Sequence, residues 1–311
     1  MTRLVTVFGG GGFLGRYVAQ ALLQRGARVR IVERDPKRAF FVKPLGGLGQ
    51  TQFIAADLTK RQTVDRAVQG SDVVINLVGL LAGNLQAVHV DGARNVAEAA
   101  RAAGAGALVH VSAIGADAGS AVPYGRTKGE GEAAVREAFA GATIVRPSII
   151  FGSEDHFINR FAGMIQSAPA VPIMSAGTKF QPVFVADVAK AIATAALDGE
   201  AFAGRTFELG GPEVLTMGEL IRRTATMIGA TPTFLDLPDS LSGLIASFGF
   251  LPGAPITKDQ WRMLKHDNVV TPGAEGLASF GVTATPLGAV APSWLVRYRR
   301  QGRFGAERKA G

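Results

Sequence analysis

Two residues four positions apart, Tyr124 and Lys128, could carry acid–base chemistry. Both lie in a predicted helix, where residues at this spacing project from the same face. A lysine ammonium beside the phenol would lower the pKa of Tyr124, which could then exchange a proton with a carbonyl group during hydride transfer. Ser112, at the end of a predicted strand, is the hydroxyl that could orient this carbonyl. Tyr124, Lys128 and Ser112 are therefore the candidate catalytic residues.

A glycine cluster near the start of the chain predicts where a dinucleotide would bind. A short apolar strand leads into four consecutive glycines, and an amphipathic helix follows at once. This order binds a pyrophosphate at the helix N-terminus. Gly9 would allow the turn, Gly12 the approach of phosphate, and Gly15 close packing of the helix on the sheet. The residues predicted to bind the cofactor here are Gly9, Gly11, Gly12, Phe13, Leu14 and Gly15. A glycine-rich turn without a ligand is the alternative.

The end of the second predicted strand bears on which dinucleotide is bound. An acidic residue at this position binds the ribose hydroxyls of NAD, whereas an arginine accommodates the 2′-phosphate of NADP. Glu33 fits the first case, but Arg34, Lys37 and Arg38 form a compact basic cluster suited to a phosphate dianion. We therefore favour NADP(H), bound by Arg34 and Arg38, with NAD(H) as the alternative. The same cations could instead be the solvated start of a helix.

Two further strand ends supply predicted cofactor contacts. Asp57 and Leu58 follow the third strand and would contact the adenine ring, although Asp57 could equally cap the next helix. Leu77, Val78 and Gly79 end the fourth strand and would lie under the cofactor.

These residues fall at regular positions in an alternation of strand-like and helix-like segments. Continuous apolar strands predict a sheet covered by helices on both faces, which is the doubly wound parallel sheet of an α/β Rossmann fold. The predicted strands are Leu4–Phe8, Val29–Glu33, Gln52–Ala55, Val73–Val78, Leu108–Ser112 and Thr143–Val145. We expect residues 1–150 to form the NAD(P)-binding domain. Residues 151–311 would form a smaller lobe over the carboxyl ends of the strands, with interleaved contributions to the sheet and a basic C-terminal tail.

Composition narrows the class of protein. The 311 residues are 47% hydrophobic and 19% charged, which predicts an ordered globule. The absence of cysteine excludes disulfides, thiolate zinc sites and iron–sulfur ligation. The four histidines are scattered, and we expect no metal site. The adjacent Glu154, Asp155 and His156 could suggest one, but loop hydrogen bonding is the favoured interpretation. We also expect no secretory leader and no membrane span.

The net charge of +8 is concentrated at the C-terminus, where residues 297–309 carry six Arg or Lys against one Glu. Such a tail could bind an anionic membrane, nucleic acid or an acidic protein partner, or it could be a solvated tail without a specific partner. The nearby apolar segment Leu241–Leu251 could dock on a membrane or a partner subunit. Burial of this segment in the second lobe is the alternative.

The glycine spacing together with Tyr124 and Lys128 resembles the extended and atypical branches of the short-chain dehydrogenase/reductase superfamily. Typical members use a Ser/Thr–Tyr–Lys set, often with an asparagine. Here His89 stands where the family commonly has asparagine, and the catalytic hydroxyl of the extended enzymes would fall nearer Ile114 than Ser112. These departures weaken the expectation of turnover and leave cofactor binding intact.

A narrower resemblance covers almost the whole chain. It is to the Rossmann-type accessory subunit of respiratory complex I (NADH:ubiquinone oxidoreductase) and its bacterial relatives. The resemblance rests on Val111–Asp117, Tyr124–Glu130, Arg146–Ser148, Phe151–Phe157, Gln181–Val185, Thr257–Gln260 and Trp294–Tyr298. It implies a tightly held NADPH, a structural or assembly role near the membrane arm and quinone region, and no obligatory reaction.

Three hypotheses about function follow from these patterns. The first is an NADPH-binding accessory or assembly subunit of respiratory complex I, with little or no turnover. It would lie in the cytoplasm against the inner (plasma) membrane of a bacterium, or on the matrix side in a mitochondrion, with no nucleic-acid partner. The second is a free NAD(P)-dependent reductase, dehydrogenase or epimerase that uses Tyr124 as acid/base on an unidentified small molecule. A regulator that senses the cofactor is a third possibility.

Overall fold

The computed structural model describes residues 2–247, 257–300 and 302. The chain forms two compact units. The first comprises Met1–Pro147, Val185–Leu209 and Thr271–Thr283, and the second comprises Ser148–Phe184, Gly210–Val270 and Ala284–Gly311. Most of the basic tail, and the end of the apolar segment Leu241–Leu251, lie outside the described residues.

The helices and strands follow one another along the chain, with 3₁₀ turns between several of them. The strands are β1 (Leu4–Phe8), β2 (Arg28–Glu33), β3 (Thr51–Ala55), β4 (Val73–Asn76), β5 (Ala107–Val111), β6 (Thr143–Pro147), β7 (Ile150–Phe151), β8 (Ala170–Met174), β9 (Lys179–Phe180), β10 (Val183–Phe184), β11 (Thr206–Leu209), β12 (Leu215–Thr216) and β13 (Thr233–Leu237). The α-helices are α1 (Phe13–Gln24), α2 (Arg61–Val68), α3 (Gly92–Ala102), α4 (Pro123–Ala138), α5 (Ile158–Ser167), α6 (Val185–Leu197), α7 (Met217–Ile228), α8 (Asp239–Ser247), α9 (Lys258–Met263), α10 (Leu287–Val290) and α11 (Pro292–Leu295). The 3₁₀ helices are Pro36–Leu45, Gly199–Phe202, Leu277–Phe280 and Val296–Tyr298, and Ala87–Asp91 forms a π-helix.

A seven-stranded sheet in the order β11-β6-β5-β4-β1-β2-β3 is the centre of the first unit. Every neighbouring pair of strands is parallel, which confirms the predicted doubly wound α/β fold. The strand order reverses between β1 and β4, where Val5 is paired with Val73. Open sheets of this kind bind ligands at the carboxyl ends of the strands beside this reversal.

The predicted strands of the first unit are confirmed with small changes of boundary. The fourth strand ends at Asn76 rather than Val78, because the Asn76 side chain accepts a hydrogen bond from the Val78 N–H (3.1 Å) and turns the chain. Small residues bring helices close to the sheet: Ala93, Ala97 and Ala100 of α3 are almost completely buried. The carboxyl ends of the strands are thereby fixed on a rigid base.

Among its described residues, the second unit has its own apolar core and three two-stranded sheets, β10-β7, β12-β9 and β13-β8. Its helix α7 begins with a capping box between Thr216 and Glu219 and ends at Gly229, which has a φ of 69°. In the described part of the chain, no helix is long and apolar enough to cross a membrane.

Candidate functional site

The glycine loop after β1 has the geometry expected of a pyrophosphate-binding turn. Gly9 has a φ of +78°, a region that other residues rarely adopt. Its carbonyl oxygen accepts the Gly12 N–H (3.1 Å), which closes the turn. Helix α1 begins directly after Gly12, with no side-chain cap and no acidic residue in its first turn. Its first N–H groups, which lack intrahelical partners, therefore remain for an anion.

The two later glycines have different surroundings. A Cβ on Gly15 would lie 2.2 Å from the Gly9 oxygen and 2.7 Å from the Gly10 Cα. Gly15 therefore allows α1 to pack on the turn itself, whereas the sequence predicted packing on the sheet. A Cβ on Gly12 would meet only the Gly9 oxygen, at 3.2 Å. The space before Gly12 is otherwise open, as the approach of a phosphate requires.

The residues predicted to distinguish NAD from NADP lie at the end of β2. The Glu33 carboxylate accepts the Gly11 N–H (2.7 Å) and so holds the glycine loop. Burial raises the pKa of Glu33, against the opposing effects of the Gly11 hydrogen bond and the Arg34 charge. Arg34 is exposed, and Arg38, with 87% of its side chain exposed, pairs with Asp35 at 3.7 Å. Glu33 is thus engaged by the loop, while Arg34 presents its charge to solvent.

Asp57 and Leu58 are fixed by local contacts. The Asp57 carboxylate accepts hydrogen bonds from the Thr59 N–H (3.0 Å) and hydroxyl (2.7 Å), and the hydroxyl bond is the main cause of its lowered pKa. Helix α2 begins only at Arg61, so the alternative that Asp57 caps this helix is wrong. The Leu58 side chain is buried against Gly92 of α3, where a Cβ would overlap it at 1.6 Å. The predicted adenine contacts of both residues stay predictions.

The segment after β4 lies between the glycine loop and helix α4. A Cβ on Gly9 would contact Val78 at 3.3 Å and Leu77 at 3.5 Å. A Cβ on Gly79 would lie 3.1 Å from the Lys128 Nζ. The structure therefore brings together three groups of predicted site residues: the turn, the end of β4 and Lys128.

Lys128 is buried, and its ammonium donates a hydrogen bond to the Val111 carbonyl (3.2 Å). Burial lowers the pKa of Lys128 to about 8, and the Glu132 carboxylate one turn along α4 opposes that shift. Glu132 accepts two hydrogen bonds from Arg146 (2.8 and 2.7 Å), which also reaches Glu208 at 3.5 Å. A row of charged side chains, buried except for the half-buried Arg146, therefore extends from Lys128 across β6 to β11.

Tyr124 differs from its predicted state. Burial raises its pKa to about 12, so the expected lowering by Lys128 is wrong. The physical reason is that the Lys128 ammonium is directed to a backbone carbonyl and desolvation of the phenol dominates. The Tyr124 ring packs edge-on against His89, with ring centroids 5.6 Å apart.

His89 lies in the π-helix before α3 and is almost completely buried. Its Nε2 accepts the Leu80 N–H (3.0 Å). Its Nδ1 lies 2.9 Å from the Thr127 hydroxyl, which donates to the Pro123 carbonyl (2.9 Å), so we assign the ring proton to Nδ1. Burial lowers the pKa of His89 to about 4. Both nitrogens of this neutral ring are thus occupied by the protein.

Two buried polar atoms beside this cluster have no hydrogen-bond partner in the described part of the chain: the Ser112 Oγ and the His110 Nε2. His110 contacts Asn76 through its Nδ1 (3.3 Å), and burial lowers its pKa to about 3, helped by the Lys128 charge. Sequence reasoning missed His110, although it lies two residues before Ser112 in the predicted strand Leu108–Ser112, a spacing that puts both on the same face. Buried polar atoms without partners are rare, so the site fits a polar ligand that would complete them.

The predicted loop hydrogen bonding around Asp155 is confirmed in the second unit. Its buried carboxylate accepts the N–H groups of Gly152, Phe157, Ile158 and Asn159 at 2.6–3.2 Å. No group of three or more His, Cys, Asp or Glu side chains in the described residues could hold a metal ion.

Comparison with known proteins identifies the family. Residues 5–210 match the model of the NAD dependent epimerase/dehydratase family. The mouse mitochondrial protein NADH dehydrogenase (ubiquinone) 1 alpha subcomplex subunit 9 is 37% identical over 305 residues, which cover 95% of this chain and 80% of that protein. Ceramide reductase of Caulobacter vibrioides is 34% identical over 248 residues, covering 76% and 74% of the two chains.

Solved structures agree on the fold. The NADPH-dependent quinone oxidoreductase of Escherichia coli, solved in complex with NADPH, superposes with a TM-score of 0.74 at 20% identity, covering 94% of this chain and 99% of that one. Because the family model matches two thirds of its residues, the chain belongs to the NAD dependent epimerase/dehydratase family.

Proposed function

We propose that the protein is an NADPH-binding accessory or assembly subunit of respiratory complex I, with little or no turnover. The similarity to the mouse NADH dehydrogenase subunit over 95% of the chain supports the partner. The expectation of little or no turnover rests on the pKa of Tyr124 and the hydrogen bonds of His89. Tyr124 has its pKa raised to about 12, and both His89 nitrogens are engaged. A phenol with a raised pKa is a weaker general acid at neutral pH than one with a lowered pKa, and His89 has no ring nitrogen left for a substrate.

The cofactor would extend along the carboxyl ends of the strands. The pyrophosphate would bind the turn from Gly9 to Gly15, including Gly11, Gly12, Phe13 and Leu14. Arg34 and Arg38 would bind the 2′-phosphate, which favours NADP(H) over NAD(H), and Asp57 and Leu58 would contact the adenine. Leu77, Val78 and Gly79 would lie under the nicotinamide half, with Tyr124 and Lys128 beside its ribose. When bound, NADPH would supply a hydride donor.

The cellular location follows from the same proposal. A bacterial protein would lie in the cytoplasm against the inner membrane, and a mitochondrial one on the matrix side. The supporting observation is the mitochondrial origin of the mouse relative. The basic C-terminus gives a positive charge that an anionic membrane surface would attract.

Purification of the native protein tests this proposal. We expect respiratory complex I subunits and bound NADPH to copurify with it, and Tyr124→Phe to leave both unchanged. Arg34→Ala should weaken NADPH binding by about tenfold or more and NADH binding much less, because only NADPH carries the 2′-phosphate that Arg34 would bind. Glu98→Ala, which removes another charge of the same unit, is the control. Equal effects of Arg34→Ala on both cofactors would refute the assignment of the 2′-phosphate.

A second candidate function is a free NAD(P)-dependent reductase or dehydrogenase. It is supported by the unpartnered Ser112 Oγ, a hydroxyl that a substrate carbonyl could accept from, and by the similarity to Caulobacter ceramide reductase. Tyr124 would be the acid/base, and Lys128 and Ser112 would orient it and the substrate. The distinguishing result is loss of NADPH-dependent carbonyl reduction in Tyr124→Phe while association with complex I persists.

A further inference from the structure

One short stretch of the first unit exposes an unusual amount of apolar surface. It follows β2 and comprises the 3₁₀ helix Pro36–Leu45 and the turn after it; we call residues 37–48 the aromatic-basic segment. Exposed fractions are 51% for Phe40, 40% for Phe41, 37% for Leu45 and 108% for Leu48. Of the nine large exposed apolar side chains among the described residues, four lie in this segment. Isolated exposed apolar residues are ordinary, but such a cluster indicates an interaction surface.

The segment is held on a fixed base. Ala39 and Val42 are completely buried beneath it. Ala39 lies directly against the glycine loop, where a Cβ on Gly11 would be 2.7 Å from the Ala39 Cβ. The Phe40 ring packs edge-on against Phe53 of β3, with centroids 5.2 Å apart. Ala39, Val42 and the Phe40 ring thus anchor the segment, while Phe41, Leu45 and Leu48 remain exposed.

The same segment is positively charged. Lys37, Arg38 and Lys43 are all exposed, and the nearest acidic residue along the chain is Asp35. The Arg16 guanidinium lies 4.4 Å from the centre of the Phe41 ring. Aromatic and aliphatic side chains flanked by cations are the composition of segments that lie in the interface of a bilayer, with cations at the phosphates and apolar groups among the upper acyl carbons.

We propose that the aromatic-basic segment binds the surface of an anionic phospholipid bilayer. Phe41, Leu45 and Leu48 enter the boundary between headgroups and acyl chains, and Lys37 and Lys43 contact lipid phosphates. Charge complementarity favours a membrane here, because residues 37–48 carry Lys37, Arg38 and Lys43 and no acidic residue, a balance that anionic lipid attracts. This inference rests on the membrane location given in the proposed function and assigns the surface that meets the bilayer; it depends neither on bound cofactor nor on a partner subunit.

Vesicle cosedimentation with the purified full chain tests the proposal. We expect binding to vesicles of equal parts phosphatidylcholine and phosphatidylglycerol, weakening as salt is raised, and little binding to phosphatidylcholine alone. The double variant Phe41→Ser/Leu48→Ser should lose about tenfold or more of the affinity, because two apolar anchors are removed. The matched control is Leu81→Ser/Val214→Ser, whose side chains are also exposed (59% and 51%). It should bind as the unsubstituted protein does.

Cofactor binding separates this proposal from the proposed function. Phe41→Ser/Leu48→Ser should bind NADPH as the unsubstituted protein does, which also establishes that it folds. Equal vesicle binding by this variant and the unsubstituted protein, or equal binding to neutral and anionic vesicles, would overturn the proposal. A second result would also overturn it: the unsubstituted protein binds no vesicles, and the double variant loses a subunit that otherwise copurifies. That result would show that the segment binds a protein and not a membrane.

Discussion

Substitution of two glycines by alanine should separate packing from ligand binding in the glycine loop. In Gly15→Ala the new Cβ would lie 2.2 Å from the Gly9 oxygen, and the backbone atoms it meets cannot rotate away as a side chain would. Overpacking of this kind costs about 1–3 kcal/mol. Alanine within a helix raises the free energy of unfolding by up to about 1 kcal/mol relative to glycine, which offsets part of this cost. We therefore expect a net loss of about 1–2 kcal/mol in the free energy of unfolding.

Gly12→Ala should behave differently. Its Cβ would meet only the Gly9 oxygen at 3.2 Å, and its backbone angles of −76° and −178° suit alanine. The cost to stability should be about 0.5 kcal/mol, since alanine is a poorer N-cap than glycine. A methyl group there would occupy the space that the pyrophosphate needs. We expect the affinity for NADPH to fall by about tenfold or more, equivalent to about 1.4 kcal/mol.

Urea unfolding without ligand and fluorescence titration with NADPH measure the two effects. For Gly15→Ala, unfolding should occur at clearly lower urea concentration, whereas Gly12→Ala should change the titration far more than the unfolding. If Gly12→Ala binds NADPH within about threefold of the unsubstituted protein, the loop is not the pyrophosphate site. If Gly15→Ala is as stable as the unsubstituted protein, the close packing of α1 on the turn is not what requires glycine.

Three further predictions concern buried polar groups. His110 has a folded-state pKa of about 3, which is below its unfolded value. The free energy of unfolding should therefore fall as pH drops from about 6.5 towards 3, by up to about 1.4 kcal/mol per pH unit. In urea unfolding, the free energy of unfolding of His110→Asn should depend less steeply on pH. Glu132→Gln should lower the free energy of unfolding by about 2–3 kcal/mol, because Arg146 loses its bidentate partner. Glu130→Gln is the control and should change the free energy of unfolding by less than about 0.5 kcal/mol, because the ion pair of Glu130 with Arg126 spans 3.9 Å on the surface. Asp155→Ala should lower stability by about 2–4 kcal/mol because four N–H groups lose their acceptor, and Asp155→Asn should restore part of this in the same thermal or urea measurement.

The parallel sheet was predictable because its signals are local. Short apolar runs, glycines after the first strand and helical spacing between strands each appear within a few residues of sequence. The sequence also identified Tyr124 and Lys128 as neighbours on one helix, because i, i+4 spacing alone decides that. The features that the sequence did not predict depend on contacts between residues that are far apart in the chain.

The Tyr124 pKa is one such property. The helix spacing predicted an ammonium beside the phenol, but the Lys128 Nζ is directed to the Val111 carbonyl, which comes from a strand seventeen residues away. The π-helix containing His89 is another. Gly131 of α4 allows it to pack closely, since a Cβ there would lie 2.1 Å from the His89 carbonyl oxygen. The contact of Lys128 with Val111 and the contact of Gly131 with His89 are both made by tertiary packing, and the local sequence therefore predicts neither.

The discontinuity of the first unit has a consequence for how the chain is synthesised. When β6 leaves the ribosome its outer edge is unpaired, and β11, which pairs with it, is made only after residues 148–205. An unpaired edge strand is prone to associate with other chains. The last segment of the first unit, Thr271–Thr283, is synthesised later still. It contains Phe280, whose ring centroid lies 4.7 Å from that of Phe202 and 4.6 Å from that of Phe207. The nascent protein therefore spends a long interval with an open sheet, and we expect its yield in cells to depend on chaperones that shield this edge.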